Sequence, residues 1–226
     1  MEIKENYYTT ENIEKQAEEF LEKIKPYTTK QDTKFLPEKT VLLVLDMQRY
    51  FLDENSHAFV PSAKAITPRI KKLQTTYLEK GLPVVQTSHL NTTGDAGSMQ
   101  RWWKDLITEN NPLSKVVDEL FDERIPVVHK TQYDAFWKTD LQRRLNKAGV
   151  KQVVVTGVMT HLCCETTARA AFIRGFDVFF TVDGTATYNK MFHQSTLINL
   201  SHGFAVPIMV KEILQHLHNI GEEKNE

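Results

Sequence analysis

Short apolar runs alternate with longer segments of helical periodicity along most of the chain. The apolar runs predict six strands, at 40–46, 83–89, 125–130, 151–157, 176–183 and 205–210. The intervening segments predict helices at 63–80, 98–122, 138–148, 162–174 and 190–202, with a closing helix to 218. Strict alternation of strand and helix is typical of a parallel sheet covered on both faces. We therefore predict an α/β fold, a three-layer αβα sandwich with a six-stranded parallel sheet.

The residues before the first strand follow a different pattern. Residues 10–24 predict one amphipathic helix, with Thr10 as its N-cap, and a polar stretch separates this helix from the first strand. We interpret residues 1–38 as an N-terminal helical arm and residues 39–226 as the main domain.

Composition and charge narrow the classes of function. The 226 residues are 41% hydrophobic and 25% charged, as in ordinary soluble domains, and the formal net charge of −1 gives no general attraction to nucleic acid or anionic membrane. No apolar run approaches the roughly 18 residues needed to cross a bilayer, and the first residues lack the apolar core of a secretory signal. These features predict a cytoplasmic protein that binds neither nucleic acid nor membrane.

Two charged residues end apolar strands. Asp46 follows TVLLVL, and Lys130 ends IPVVHK. A buried charge without a partner is costly, and the carboxyl ends of parallel strands share one edge of the sheet, so we expect Asp46 and Lys130 to meet there. The residues alone leave two interpretations open, a structural ion pair or part of a catalytic site.

Cys163 and Cys164 are adjacent, and both come at the predicted start of a helix rich in small residues. The positive end of a helix dipole and a nearby lysine favour a thiolate, and a nearby aspartate can accept the thiol proton. Cys163 is therefore a candidate nucleophile. An inert buried cysteine and a redox pair of Cys163 with Cys164 are the alternatives.

Five sequence blocks in fixed order resemble those of the isochorismatase-like cysteine hydrolases, which include nicotinamidases, N-carbamoylsarcosine amidases and isochorismatases. The resemblance covers roughly residues 38–215. The blocks are LLVLDMQRYF at 42–51, PVVQTSH at 83–89, HKTQYDAFWKTDL at 129–141, VVVTGVMTHLCCETTARAAF at 153–172 and VDGTAT at 182–187.

The resemblance implies a catalytic triad in which Asp46 is the base, Lys130 holds it, and Cys163 rather than Cys164 is the nucleophile. It further implies a cis peptide bond between Val158 and Met159, with the N–H groups of Met159 and Cys163 as the oxyanion hole. The implied reaction is hydrolysis of a small amide or ureido C–N bond through a Cys163 thioester. Members of this family are usually homo-oligomers, so we expect a dimer or tetramer that acts on a small molecule.

The chain departs from the metal-dependent members of this family. Nicotinamidases carry an Asp-x-His motif and a second histidine after the second strand, where this chain has Ser88-His89-Leu90-Asn91. We therefore predict no metal and no other cofactor. The lack of the Asp-x-His motif also argues against a nicotinamidase. His89 is instead a candidate substrate-binding residue, together with the loop aromatics Phe51, Trp103 and Tyr133.

Two other functions remain open from the sequence. The first is isochorismatase-type cleavage of a vinyl ether with Asp46 as the acid. The second is a non-catalytic binding protein on the same scaffold.

Overall fold

The computed structural model describes residues 4–29, 33–103 and 105–220. Six parallel strands form one sheet in the order β3-β2-β1-β4-β5-β6. Their bounds are β1 Thr40–Leu45, β2 Val84–His89, β3 Val127–Lys130, β4 Gln152–Val158, β5 Asp177–Ala186 and β6 Val206–Ile208. Strand order reverses between β1 and β4, and in open α/β sheets ligands bind in the crevice at that point.

Eight α-helices accompany the sheet in the described part of the chain. They are α1 Ile13–Ile24, α2 Arg49–Leu52, α3 Ala63–Glu79, α4 Met99–Trp102, α5 Leu141–Lys147, α6 Glu165–Ile173, α7 Lys190–Gly203 and α8 Val210–His218. Helix α3 packs with α8, and α6 packs with α7. Because β1 to β2 and β4 to β5 run in opposite directions across the sheet, right-handed crossovers place α3 and α6 on opposite faces. The predicted αβα sandwich with six parallel strands is confirmed.

One predicted helix is wrong. Among the described residues of segment 98–122, most are irregular, and only Met99–Trp102 are α-helical, with Pro112–Ser114 in a short 3₁₀ turn. Proline disfavours helix at the preceding residue, and the Asn111 side chain accepts a hydrogen bond from the Leu113 N–H, which favours a turn. The start of α1 also differs, since Asn12 rather than Thr10 occupies the N-cap position.

The described N-terminal residues pack onto the main core. Tyr7, Tyr8, Phe20 and Ile24 are buried in the same apolar cluster as the central strands, and α1 contacts β5 and α7. The division into an arm, 1–38, and a domain, 39–226, stays a prediction. Among the described helices, none combines the length and the apolar character that crossing a membrane requires.

A close backbone approach lies beside the reversal point of the sheet. Gly157, near the end of β4, has a φ of +111°, and a Cβ atom there would collide with the backbone of Leu45 in β1. Only glycine combines this φ with that approach. The close contact brings the ends of β1 and β4 together, so the residues that follow these strands lie side by side.

Candidate active site

Asp46, Lys130 and Cys163 meet at the carboxyl edge of the sheet. The Lys130 Nζ atom lies 2.8 Å from Asp46 Oδ2 and 3.2 Å from the Cys163 Sγ atom. The third short contact of this ammonium group is the carbonyl oxygen of Gln132, at 2.9 Å. The predicted meeting of Asp46 with Lys130 is therefore confirmed, and the thiol lies beside the pair.

Burial and charge set the protonation of this trio. Burial alone would raise the pKa of Asp46, but Lys130 and a hydrogen bond from Cys163 lower it overall. Burial raises the pKa of the Cys163 thiol, and the Asp46 carboxylate raises it further against the opposing effect of Lys130. Burial opposes the charge on Lys130, yet the Asp46 carboxylate raises the pKa of the ammonium group. The resting trio thus holds a carboxylate, an ammonium and a neutral thiol.

This protonation differs from the sequence-based expectation of a thiolate. The expectation weighed the helix dipole and Lys130, but the burial of the sulfur outweighs both. A neutral thiol within 4.8 Å of an ionised Asp46 leaves the carboxylate able to accept its proton.

Local backbone geometry directs the Asp46 carboxylate. Asp46 follows β1 with a φ of 52°, in the left-handed region that non-glycine residues rarely occupy. Thr87, on the neighbouring strand β2, donates from Oγ1 to Asp46 Oδ1 at 2.6 Å, and the Asp46 N–H is 3.1 Å from the same hydroxyl. Residues held in such backbone regions are concentrated at functional sites.

Cys163 lies in a π-helical turn, Thr160–Cys164, between β4 and α6. The Cys164 N–H donates to the Met159 carbonyl at 3.2 Å, across the five-residue spacing of a π turn. The peptide bond between Val158 and Met159 is cis, as the resemblance implied. In α6, the small residues Thr167, Ala168 and Ala171 are buried, which lets the helix lie close to the sheet. Both thiols are free.

A neutral histidine completes the surroundings of Lys130. His89 Nε2 lies 2.7 Å from Asn91 Oδ1, and the Asn91 amide nitrogen donates to the Thr131 carbonyl. Because Asn91 Oδ1 can only accept, Nε2 carries the proton and Nδ1 faces Lys130 Nζ as an acceptor, at 3.4 Å. Burial, with help from Lys130, lowers the pKa of His89 to about 4. His89 is thus uncharged at neutral pH.

Asp46, His89 and Cys163 offer three possible metal ligands within 4.8 Å of one another. The Lys130 ammonium group, however, contacts all three of these side chains. A metal ion at that point would replace or repel a resident positive charge, so the residues do not fit a transition-metal site. The absence of a metal stays a prediction.

A largely apolar pocket opens above Cys163. Its empty space, counted together with the open solvent at its mouth, is about 430 Å³. Six of the eight residues that the sequence proposed for the site line it, namely Phe51, His89, Trp103, Tyr133, Met159 and Cys163. Asp46 and Lys130 lie behind the sulfur. The Trp103 indole N–H donates to the Tyr133 hydroxyl at 3.0 Å, which joins two of the aromatic walls.

Several lining residues were missed by sequence reasoning. They are Tyr50, Asn91, Met99, Asp105, Leu106, Ile107 and Leu162. Residues 105–107 fall in the segment wrongly predicted as helix, so their approach to the pocket had no signal in the periodicity. Asn91 is a polar residue two positions after His89, the last residue of β2. Two polar residues in an i, i+2 arrangement at a strand end are the sequence signal that would have identified Asn91 as a lining residue.

Comparison with known proteins defines the class. The isochorismatase domain model matches residues 40–212. "Nicotinamidase 3" of Arabidopsis thaliana is 41% identical over 169 residues, which cover 73% of this chain and 81% of the relative. The isochorismatase of Bacillus subtilis is 31% identical over 189 residues, which cover 81% of this chain but only 59% of the relative.

A solved structure gives the same fold. The cysteine hydrolase from Pseudomonas syringae pv. phaseolicola 1448A superposes with a TM-score of 0.78 at 22% identity, over 85% of this chain and 97% of that one. The chain belongs to the isochorismatase family, and it is a hydrolase of the isochorismatase-like class.

Proposed function

We propose that this enzyme hydrolyses the C–N bond of a small carboxamide or ureido compound through a thioester on Cys163. The observation that carries the proposal is the position of one ammonium group, Lys130 Nζ, 2.8 Å from Asp46 and 3.2 Å from the Cys163 sulfur, beneath an apolar pocket. A nucleophile, a base and a residue that holds both are thereby within contact distance.

The resting protonation supports the order of the steps. Asp46 takes the thiol proton as the sulfur attacks the carbonyl carbon, and the C–S bond forms. The carboxyl group of Asp46 then gives that proton to the leaving nitrogen, and the C–N bond breaks. Asp46 next takes a proton from water, whose oxygen attacks the thioester, and the C–S bond breaks as the sulfur regains a proton. One water is consumed. A carboxamide gives a carboxylic acid and ammonia or an amine, whereas a ureido compound gives ammonia or an amine and a carbamic acid, which loses CO₂.

The turn that carries Cys163 supplies the proposed oxyanion hole. The N–H groups of Met159 and Cys163 are the proposed donors, and both residues line the pocket beside the sulfur. Donors fixed before the reaction stabilise the developing negative charge without having to reorganise.

The pocket favours a substrate with a flat apolar body. Phe51, Trp103 and Tyr133 offer aromatic surface on its walls, and stacked or edge-on ring contacts favour planar groups. The relative named Nicotinamidase 3 makes nicotinamide the first carboxamide to test, although the SHLN sequence at 88–91 lacks the metal motif of nicotinamidases. We propose that binding here uses the His89 and Asn91 pair and the aromatic walls in place of a metal.

The second candidate is vinyl-ether cleavage with Asp46 as the acid, which the Bacillus subtilis relative makes relevant. That reaction has no need of a nucleophile, whereas here the Cys163 sulfur lies against both the base and the lysine. The lowered pKa of Asp46 also makes it a poor proton donor in its resting state.

The test is a panel of nicotinamide, benzamide, aliphatic amides and carbamoyl compounds, assayed for release of ammonia or amine and repeated with added hydroxylamine. A thioester intermediate predicts a hydroxamate of the same acyl group at the expense of the acid. Turnover of isochorismate without turnover of any amide would contradict the proposal and support the second candidate.

A further inference from the structure

A short N-terminal segment, Lys4–Tyr8, reaches the turn that carries the nucleophile, although it precedes the region matched by the family model, 40–212. Tyr7 and Tyr8 are both buried, with 3% and 1% of their surface exposed. Their hydroxyl groups have different partners. That of Tyr8 donates to the Val182 carbonyl at 3.0 Å, whereas that of Tyr7 joins a network leading to Thr160.

The network has three links. The Thr187 N–H donates to the Tyr7 hydroxyl oxygen at 3.0 Å. The Tyr7 hydroxyl can therefore donate its own proton to His193 Nδ1, which lies 2.9 Å away. The same Nδ1 atom lies 3.3 Å from Thr160 Oγ1. Thr160 is the first residue of the π-helical turn that contains Cys163.

The network is uncharged and rigid. Burial lowers the pKa of His193 to about 3, so the ring is neutral at physiological pH. Phe20 of α1 stacks on this ring with a centroid distance of 4.9 Å, and Tyr7 contacts it edge-on at 5.5 Å. The network can therefore affect the turn through position but not through charge.

The same segment is also linked, through His57, to a second residue that lines the pocket. Lys4 Nζ donates to the backbone carbonyl of His57 at 2.6 Å, and the His57 ring hydrogen-bonds to the Tyr50 hydroxyl at 2.8 Å. Tyr50 lines the pocket. Five consecutive residues thus connect the nucleophile turn, through Tyr7, with the pocket residue Tyr50, through Lys4 and His57.

We propose that Tyr7 is a positioning residue for Cys163, acting through His193 and Thr160. The inference rests on the proposed role of Cys163 as the nucleophile. Removal of the Tyr7 hydroxyl leaves the buried Nδ1 atom of His193 with Thr160 as its remaining partner, and the turn shifts to shorten that contact. A displacement of less than 1 Å at a nucleophile lowers the rate of attack much more than it weakens substrate binding.

The experiment compares Tyr7→Phe with Tyr8→Phe in the full chain. Each variant loses one buried hydroxyl from neighbouring tyrosines, so a purely structural effect lowers the Tm of both to a similar extent. We expect Tyr7→Phe to lower kcat about tenfold with KM within about twofold of wild type, and to slow iodoacetamide labelling of Cys163, located by mass spectrometry, to a similar extent. Tyr8→Phe keeps the wild-type kcat and labelling rate.

Thr160→Val removes the other end of the network and is the second test. We expect it to reproduce the fall in kcat, and the double variant Tyr7→Phe/Thr160→Val to be no slower than either single variant, because both break one pathway. Wild-type kcat and labelling in Tyr7→Phe would overturn the inference, and if that variant does not fold, unchanged kcat in Thr160→Val would do so. Retained turnover in Cys163→Ala would contradict the proposed function and not the network. The labelling rates of Cys163 in Tyr7→Phe and Tyr8→Phe would then still test whether Tyr7 positions the thiol.

Discussion

The ammonium group of Lys130 lies 2.8 Å from the carboxylate of Asp46, and both side chains are fully buried. Replacement of one partner leaves the other charge buried without compensation. We expect Lys130→Met to lower the free energy of unfolding by about 3–5 kcal/mol and to abolish activity. In the double variant Asp46→Asn/Lys130→Met, much of the stability returns while activity stays absent. Urea denaturation of the three proteins measures this, and equal stability of the single and double variants would contradict a coupled pair.

The protonation states of the site predict that kcat/KM does not change with pH in the range where an ordinary histidine titrates. The pKa of Asp46 is lowered, so the base stays ionised as the pH falls through the ordinary carboxyl range, and the pKa of Cys163 is raised, so the thiol stays neutral well above pH 7. We expect kcat/KM to be flat between about pH 5.5 and 8, with no transition near the ordinary histidine pKa of about 6.5. A transition there would contradict these protonation states, because a histidine would then titrate in or beside the site.

Asn91 determines which nitrogen of His89 carries the proton, and a charged substitute makes this testable. In Asn91→Asp, a carboxylate beside Nε2 raises the pKa of His89 from about 4 toward neutrality. The protonated ring can no longer accept from Lys130 and repels it. We expect kcat/KM of this variant to fall as the pH is lowered through the raised pKa of His89, whereas that of the wild type stays constant. Asn146→Asp, which adds the same charge at an exposed position on α5, should leave the profile unchanged.

The glycine beside the nucleophile turn tests the close approach of β1 and β4. In Gly157→Ala, the added Cβ meets the backbone of Leu45 at a φ of +111°. We expect a loss of about 2–4 kcal/mol in unfolding free energy. Gly203→Ala is the control, since a Cβ there has open space and an ordinary φ. Equal stabilities for the two variants would show that the strand ends are not held by this contact.

The sequence predicted the sheet because its strands are buried on both faces, and burial of that kind produces continuous apolar runs such as 40–45. The meeting of Asp46 with Lys130 followed from the cost of burying either charge alone. The irregular segment after β2 could not be predicted in this way. Its apolar residues Leu106 and Ile107 line the pocket, and Ile107 is also part of the buried core. Buried apolar residues in an irregular segment give the same signal as the buried face of a helix.

Other features depend on contacts between distant parts of the chain. Tyr7 and His193 are 186 residues apart, and neither has a sequence signal that pairs it with the other. The protonation of Cys163 could not be judged from its helix position alone, because the burial of the sulfur is a property of the whole site. The expected homo-oligomer and cytoplasmic location stay predictions, the first of which sedimentation velocity can measure.

The adjacent cysteines allow the most direct measurement of the central claim. The claim is that Cys163 forms a covalent bond to the substrate, while Cys164, the last residue of the same turn and fully buried, does not. With any amide that the enzyme turns over, we expect Cys163→Ala to lower kcat by at least about 10⁴-fold and Cys164→Ala to retain activity within about tenfold of wild type. Cys163→Ala turning over the amide at the wild-type rate would contradict the account.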